Sequence, residues 1–274
     1  MTAKIVSIHL YPVKSLGGFP VTDAQVTPRG LQFDRRFMVV DSMGEFKTIR
    51  EVPAMATVKT AMDGDELLMT NPFGDIVRVP LAPPPQATRE VRVWASRVQA
   101  HAVSDEADAL LSECLGEEVQ LMYMPDSTAR TLKEGRGQAG DIVSFADGYP
   151  LLVASVSSLA DLNRRIAANG RDPVPMNRFR ANVVIDGAEP FAEDRLGPMT
   201  LGNVAFRAAS PCVRCQVTTT DQTTGESCGP EPLATLSTFR RTPDGPMFGT
   251  NCIPDAEGVI RIGDAVAWSG VSKQ

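Results

Sequence analysis

Residues 211–221 read Pro211-Cys212-Val213-Arg214-Cys215-Gln216-Val217-Thr218-Thr219-Thr220-Asp221, so two thiols lie three positions apart. The β-branched residues that follow the second cysteine favour a strand over a helix. We therefore expect this Cys-x-x-Cys pair to lead into a strand. A thioredoxin-like pair differs, because it opens a helix after a strand. The chemistry of the chain is predicted to lie in this segment.

The cysteine pair allows three interpretations. In the first, Cys212 and Cys215 are two small core residues. In the second, they are half of a structural zinc site, whose remaining ligands would be Cys228 and Cys252, both isolated in the sequence. In the third, one thiolate binds a soft, thiophilic metal while the other cysteine lies nearby. The pattern alone does not choose between zinc and the single thiolate.

The composition is that of a globular protein with a real core, since 43% of the 274 residues are hydrophobic and 22% are charged. The net charge of −6 argues against a general nucleic-acid-binding protein. Apolar runs long enough to span a bilayer are absent, and the N-terminus lacks the apolar core of a signal peptide. Five cysteines, an odd number, fit reduced thiols, so we expect a cytoplasmic protein with no membrane partner.

The first third of the chain is a series of short strand patterns separated by turns, which is typical of a barrel or sandwich. One hairpin is predicted to turn at Asp63-Gly64. Lys14 and Ser15 fall where the first strand meets a turn, a position from which side chains can reach a ligand. The pattern alone favours the alternative, a solvated lysine in a loop. Residues 104–116 form the first helix pattern, with Ser104 as its N-cap.

The second half of the chain follows a polar, glycine-rich segment, residues 127–141, which we interpret as a domain boundary. Residues 158–169 give the best helix pattern, in which Ser158 and Asp161 have capping-box spacing. Residues 259–268 are predicted to be a hairpin-like pair of strands.

Residues 178–185 are predicted to be a strand, in which Arg178, Arg180 and Asn182 would project to the same side. Three adjacent polar groups on an apolar strand need an anion or a polar ligand opposite them. A solvated edge of the sheet is the alternative.

Common catalytic motifs do not occur in the sequence. Walker-type, Gly-x-Gly-x-x-Gly and His-Glu-x-x-His signatures are absent. The two histidines, His9 and His101, argue against a multi-histidine metal site and against a Ser-His-Asp centre near Cys215.

Several segments together carry a resemblance to a known family: Tyr11-Pro12-Val13-Lys14-Ser15, Asp34-Arg35-Arg36-Phe37, Arg178-Phe179-Arg180-Ala181-Asn182, and Cys212-Val213-Arg214-Cys215 followed by Thr218-Thr219-Thr220-Asp221 and Thr224-Gly225-Glu226. In this order they resemble the MOSC-domain proteins, the homologues of the C-terminal domain of molybdenum cofactor sulfurase. The spacing is most similar to the subgroup with an N-terminal β-barrel extension, which includes the mitochondrial amidoxime-reducing component. The resemblance covers nearly the whole chain.

The strand patterns and the resemblance together predict a mostly β (α+β) fold with two β-barrel-like domains. We expect an N-terminal MOSC β-barrel domain over residues 1–122. A MOSC domain over residues 123–274 would form a second barrel that carries a few helices and Cys215. The cofactor is expected between the two.

The resemblance implies a molybdenum cofactor, Mo-molybdopterin, which is a pterin dithiolene with a phosphate. Cys215 matches the family's protein ligand to molybdenum, whereas Cys212 is not expected to bind the metal. Thiolate suits such a metal, and basic side chains suit the phosphate. The cofactor-binding positions implied besides Cys215 are Lys14, Ser15, Arg36, Asp147, Gly148, Arg180, Asn182 and Arg214. Val213 replaces a polar residue of the amidoxime-reducing relatives.

The resemblance also implies the reaction, which is reduction of small N-hydroxylated substrates such as hydroxylamines and amidoximes. Asp221 is a candidate proton donor. A further cysteine cluster is absent, so electrons are predicted to come from a separate protein of ferredoxin, flavin-reductase or cytochrome type. Two alternatives remain: a sulfur or molybdenum-cofactor carrier that acts through Cys215, and a zinc-stapled binding module.

Overall fold

The computed structural model describes residues 3–268 and confirms the predicted mostly β fold. The α-helices in this range are α1 Asp105–Leu115, α2 Val156–Ala168 and α3 Leu233–Phe239. The strands are β1 Lys4–Leu10, β2 Phe19–Val21, β3 Asp23–Thr27, β4 Gly30–Leu31, β5 Phe37–Asp41, β6 Lys59–Asp63, β7 Glu66–Thr70, β8 Ile76–Pro80, β9 Thr88–Val93, β10 Ser96–Ala102, β11 Val119–Tyr123, β12 Leu151–Ser155, β13 Val183–Asp186, β14 Gly197–Leu201, β15 Val204–Val213, β16 Arg241–Thr242, β17 Gly245–Pro254, β18 Gly258–Arg261 and β19 Val266–Trp268.

The largest sheet has the strand order β19-β14-β15-β17-β12-β13-β1-β2, with β16 paired to β17. Its pairs are antiparallel except for β12 and β13, which are parallel and joined through α2. Apolar side chains cover both faces of β12, since Leu151 and Val153 belong to one core cluster while Leu152 and Ala154 belong to another. Burial on both faces explains why β12 is an unbroken apolar run.

Three smaller sheets complete the fold, with the orders β5-β11-β10-β9, β6-β7-β8 and β18-β3-β4. The hairpin predicted at Asp63-Gly64 is confirmed by the pairing of β6 with β7. Strands from the two halves of the chain also pair, because β1 lies beside β13 and β3 lies beside β18. The domain division at residue 122 stays a prediction.

The strand pair predicted over residues 259–268 is wrong. β18 pairs with β3 and β19 pairs with β14, so the two strands lie in different sheets. The segment between them is tied to the first strand instead. Ile5 N donates to Asp264 O over 2.9 Å, and Gly263 N donates to Ile5 O over 2.8 Å.

Helix α1 confirms the prediction for residues 104–116. The Ser104 hydroxyl accepts a hydrogen bond from Ala107 N over 3.4 Å, and Gly116 ends the helix with a φ of 71°. The capping box predicted for α2 is wrong, because the Ser158 hydroxyl donates to Glu193 Oε2 and accepts from Phe191 N. None of the helices in the described part of the chain is long and apolar enough to cross a membrane.

Two adjacent acids, Glu193 and Asp194, are held close to helix α2. Glu193 is 2% exposed, and one oxygen of each carboxyl is buried with no hydrogen-bond partner among residues 3–268. Burial raises the pKa of both carboxyl groups, although the Ser158 hydroxyl opposes the shift at Glu193 and the Arg240 guanidinium opposes it at Asp194. Ionising this pair therefore costs folding free energy.

The Glu193→Gln variant is expected to gain stability relative to the wild type as the pH rises from 4 to 7. The folded-state pKa of Glu193 lies above the unfolded value, so the wild type loses stability as the pH rises from the unfolded value towards the folded one. We expect the difference in free energy of unfolding to grow by on the order of 1 kcal/mol. Urea titrations at several pH values measure it, and the exposed Glu189→Gln should show no such trend.

Candidate functional site

Cys215 lies two residues after the end of β15, where the chain leaves the large sheet. Arg214 N donates to Pro246 O over 2.7 Å, and Cys215 then begins a short 3₁₀ helix, Gln216–Thr219. The strand predicted after the cysteine pair is therefore wrong. The hydroxyl of Thr218 bonds back to Cys215 O at 3.0 Å, and that of Thr219 bonds back to Gln216 O at 2.8 Å. These local bonds favour a turn over a strand.

Arg50 connects the Cys215 sulfur to the predicted loop residue Asp147. Its Nη2 donates to Cys215 Sγ over 3.1 Å and to Asp147 Oδ2 over 3.3 Å. Its guanidinium carbon also lies 4.8 Å from the centre of the Trp94 ring. One side chain thus places a positive charge against the sulfur and holds a carboxylate beside it.

Lys14 is buried and forms an ion pair with Asp147. Burial lowers the pKa of Lys14, and the Asp147 carboxylate opposes that shift. Partial desolvation of Asp147, whose side chain is still 57% exposed, opposes its ionisation, but the Lys14 ammonium and the Arg50 guanidinium outweigh this and hold the pKa of the carboxyl below its usual range. Trp94 Nε1 donates to Asp147 Oδ1 over 3.2 Å. The ion pair with Lys14 and the hydrogen bond from Trp94 together hold this carboxylate in place.

The loop that carries Asp147 and Gly148 is held in place by Arg130, whose side chain is buried. Arg130 Nη1 donates to Ser144 O over 2.8 Å and to Ala146 O over 2.6 Å, and Nη2 donates to Asp147 O over 3.4 Å. Burial lowers the pKa of Arg130 to about 10, so the guanidinium remains charged at neutral pH. A side chain at Gly148 would meet the Arg136 guanidinium.

Arg180 is placed by the backbone in a way that the sequence prediction missed. A 3₁₀ helix, Met176–Phe179, precedes it, and Arg180 itself has a left-handed φ of 53°. The prediction that a strand begins at residue 178 is therefore wrong, because the strand begins only at Val183, the start of β13. Arg180 and Arg35 both lie with their guanidinium carbons 4.4 Å from the centre of the Tyr11 ring. Burial lowers the pKa of Arg180 to about 10, so its guanidinium remains charged at neutral pH.

Left-handed backbone conformations recur around this site. Ser15, Arg35, Trp94 and Arg180 have φ values of 70°, 49°, 55° and 53°. Each costs free energy in a residue other than glycine, and such residues cluster where a site imposes them. Two of these residues are linked to Asp147, Trp94 through a hydrogen bond and Arg180 through the attraction between their charges.

Arg178 and Arg214 extend the basic cluster. Arg214 Nη1 lies 2.9 Å from Cys212 Sγ, and Arg178 Nη2 lies 3.5 Å from the Asp221 carboxylate. The Nε atom of each arginine is buried and has no hydrogen-bond partner in the described range. Backbone N–H groups of Thr223 and Thr224 hold the pKa of Asp221 below its usual range.

Two predicted site residues bind the protein itself. Arg36 donates to the carbonyl of Met124 and, over 2.8 Å, to Asp126. The Asn182 amide donates to Asp34 Oδ1 over 3.0 Å and accepts from Leu152 N over 3.2 Å. The structure thus brings five predicted residues into one basic region: Lys14, Asp147, Arg180, Arg214 and Cys215. Arg36 and Asn182 instead hold neighbouring segments of the protein together.

The side chains of this region carry an excess of positive charge. Seven cations stand against three carboxylates, Asp34, Asp147 and Asp221; the cations are Lys14, Arg35, Arg50, Arg130, Arg178, Arg180 and Arg214. Together with the two unpartnered Nε atoms, this excess fits a bound anion such as the phosphate of a pterin cofactor. A soft sulfur ligand at Cys215 lies in the same region, so the residues fit a phosphate-bearing metal cofactor.

The four cysteines that the zinc alternative requires, Cys212, Cys215, Cys228 and Cys252, do not form a metal site in the described part of the chain. Within residues 3–268, no group of three or more His, Cys, Asp and Glu side chains is placed to hold a metal ion. Cys252 is buried in the large sheet beside Met199, and burial raises the pKa of its thiol well above the usual range. Cys228 is exposed.

Sequence reasoning missed three residues, Arg50, Trp94 and Arg130. Arg50 lies 165 positions from the cysteine that it contacts, so neighbouring residues gave no sign of the contact. A signal was available at Trp94, because a large aromatic residue there occupies a two-residue turn between β9 and β10. Arg130 lies inside the polar segment that we interpreted as a boundary.

Comparison with known proteins shows which family the chain belongs to. The MOSC N-terminal beta barrel domain family matches residues 2–118, and the MOSC domain family matches residues 140–267. Mitochondrial amidoxime-reducing component 1 of Mus musculus is 29% identical over 96% of this chain and 81% of its own length. The human protein of that name is 27% identical over 96% of this chain and 82% of its own.

A second kind of relative is the molybdenum cofactor sulfurase of Oryza sativa subsp. japonica. It is 30% identical over 89% of this chain, which corresponds to 31% of the sulfurase. Both kinds of relative align with nearly all of this sequence. The chain is therefore a MOSC-domain protein with an N-terminal MOSC β-barrel domain, similar to the mitochondrial amidoxime-reducing components.

Proposed function

We propose that this chain is a molybdenum-cofactor-dependent reductase of N-hydroxylated compounds such as hydroxylamines and amidoximes. The observation that carries the proposal is the Cys215 sulfur, held by Arg50 within a region of excess positive charge. The similarity to proteins whose names state amidoxime reduction supports the reaction class. Electrons would come from a separate donor protein, and we expect the chain in the cytoplasm.

The residues of the site would have two roles, one binding the metal and the others binding the pterin and its phosphate. Cys215 Sγ would be the protein ligand to molybdenum, and Lys14, Ser15, Arg180 and Arg214 would hold the pterin and its phosphate. When bound, the cofactor supplies the two-electron chemistry. The protein orients it, since the arginine fork matches phosphate geometry and the strained loops fix the direction of each side chain.

The overall reaction consumes two electrons and two protons for each N–O bond that breaks, and it releases water. Asp221 is a poor proton donor, because its lowered pKa keeps it ionised at neutral pH. Asp147 is a poor proton donor for the same reason, because the Lys14 ammonium and the Arg50 guanidinium outweigh desolvation and hold its pKa below the usual range.

The proposal is tested by metal analysis and turnover of protein made in cells that synthesise the cofactor. We expect near-stoichiometric molybdenum and reduction of hydroxylamine and benzamidoxime with a reduced viologen dye as electron donor. Stoichiometric zinc without molybdenum, or full molybdenum without reduction of either substrate, would contradict it.

A cofactor or sulfur carrier is the second candidate, and the similarity to molybdenum cofactor sulfurase favours it. Such a protein would hold a labile sulfur atom or the cofactor at Cys215 without turnover. Cyanide-releasable sulfur on Cys215, in a protein that reduces neither substrate, would identify it.

The Arg50→Gln variant is expected to lose about tenfold in kcat/KM while keeping most of its molybdenum. Arg50 touches the metal's proposed ligand without being a ligand itself, and changes of that kind typically cost ten- to a hundredfold. Steady-state assays and metal analysis measure the two quantities. Arg78→Gln is the matched control, because Arg78 also pairs with carboxylates, those of Asp63 and Glu66, but lies 48% exposed on the hairpin of β7 and β8. Equal losses in both variants would disprove a specific role for Arg50.

A further inference from the structure

Trp94 occupies a backbone position that does not suit tryptophan. Val93 pairs with Ser96, so Trp94 and Ala95 form the two-residue turn between β9 and β10. Trp94 has a φ of 55°, whereas two-residue hairpin turns favour glycine or asparagine where φ is positive. The fold alone therefore does not require an indole here, and the side chain must be explained by what it contacts.

The indole lies in the candidate site although it comes from a distant hairpin. Its ring centre is 5.0 Å from that of Phe46, and its Nε1 donates to Asp147. The Arg50 guanidinium, which also donates to the Cys215 sulfur, lies 4.8 Å from the ring centre. A single guanidinium thus separates the indole from the sulfur.

The Trp94 side chain is still accessible to solvent. The residue is 38% exposed, which makes it one of the large hydrophobic residues that the fold leaves uncovered. Phe46 beside it is partly buried against the core. An aromatic surface that is rigid on its inner side and open on its outer side can bind a planar group.

We propose that Trp94 and Phe46 form an aromatic wall that binds the organic group of the substrate. The wall selects N-hydroxylated substrates that carry an aromatic ring over aliphatic ones of the same head group. This proposal rests on the proposed function, since it uses the N-hydroxylated substrate class. It adds a specificity-determining residue, because the wall recognises the part of the substrate that does not react.

The first test compares benzamidoxime with acetamidoxime, which share the reacting group and differ only in phenyl against methyl. In Trp94→Asn holoenzyme we expect the ratio of their kcat/KM values to fall about tenfold, mainly through KM for benzamidoxime. Asparagine suits the left-handed turn, so the hairpin should form. Trp94→Phe should keep most of the selectivity, because it keeps an aromatic ring. An unchanged ratio in Trp94→Asn would overturn the proposal.

A second test does not depend on turnover. The chain has two tryptophans, so Trp268→Phe leaves Trp94 as the sole indole. Benzamidine, which has no N–O bond to reduce, is expected to change the fluorescence of Trp268→Phe holoenzyme saturably, whereas acetamidine should not. Absence of any saturable change would count against the wall.

The two tests separate failure of the wall from failure of the proposed function. If the wild type reduces both amidoximes and Trp94→Asn keeps the wild-type ratio, the wall is wrong and the function stands. If benzamidine binds at Trp94 and neither amidoxime is reduced, the reductase proposal fails while the aromatic binding site stands. The Trp268→Phe enzyme should keep the wild-type selectivity, because Trp268 packs against the core of the large sheet.

Discussion

Replacing Cys215 by alanine is expected to leave less than about one tenth of the wild-type molybdenum, and to remove reduction of N-hydroxylated substrates with it. The thiolate is the soft ligand that the metal would take from the protein, and loss of a ligand costs more than the ten- to a hundredfold typical of residues behind it. Elemental analysis and turnover measure the loss. The fold should survive, because Cys215 is only partly buried and its side chain contacts Arg50 rather than the core.

Cys228→Ala is the matched control for this experiment. Cys228 is exposed, and its sulfur lies near the backbone carbonyl of Glu226. We expect this variant to keep its molybdenum, its activity and its thermal stability. A zinc-stapled protein would behave in the opposite way, since loss of one of four ligands would unfold it. Equal molybdenum in Cys215→Ala and in the wild type would refute the assignment of the metal ligand.

Arg130→Met is expected to lower the free energy of unfolding by about 3 kcal/mol. The buried guanidinium donates to carbonyl groups of Ser144, Ala146 and Asp147, and methionine fills the space without a donor. Buried acceptors without a partner cost roughly 1–3 kcal/mol each. Urea denaturation monitored by circular dichroism measures the change.

The control for Arg130 is Arg97→Met, which makes the same chemical change at a surface position. Arg97 is 65% exposed and pairs with Glu90, so its removal should change stability by less than about 0.5 kcal/mol. The Arg130 variant should also be cut faster by proteases between residues 133 and 148. A loss of stability below about 1 kcal/mol would show that other contacts hold the loop.

The sequence predicted those elements that are determined by interactions between neighbouring residues, such as helix α1. The cap residues Ser104 and Gly116 lie at the ends of the helix that they specify, so α1 could be placed from sequence alone. The segment after Cys215 could not, because the hydroxyls of Thr218 and Thr219 bond back to preceding carbonyls and outweigh their strand preference.

The basic region was predicted in part for a related reason. Lys14, Arg180 and Cys215 could be chosen as site residues through the resemblance. The strand geometry predicted for Arg180 was wrong, because the types of the surrounding residues do not indicate its left-handed backbone conformation. Arg50 required knowledge of which loops meet. Contacts between residues that are far apart in the chain therefore limit what sequence can predict of this site.

The position of β1 has a consequence for synthesis of the chain on the ribosome. Lys4 pairs with Asp186 and Ile8 with Val183, so the edge of β1 opposite β2 waits for a partner that is made more than 170 residues later. At roughly 5–20 residues per second, that delay is on the order of ten seconds. During this time one edge of an apolar strand is open to other nascent chains. We expect yields in cells to depend on holding chaperones that bind the N-terminal segment, and on temperatures that slow aggregation.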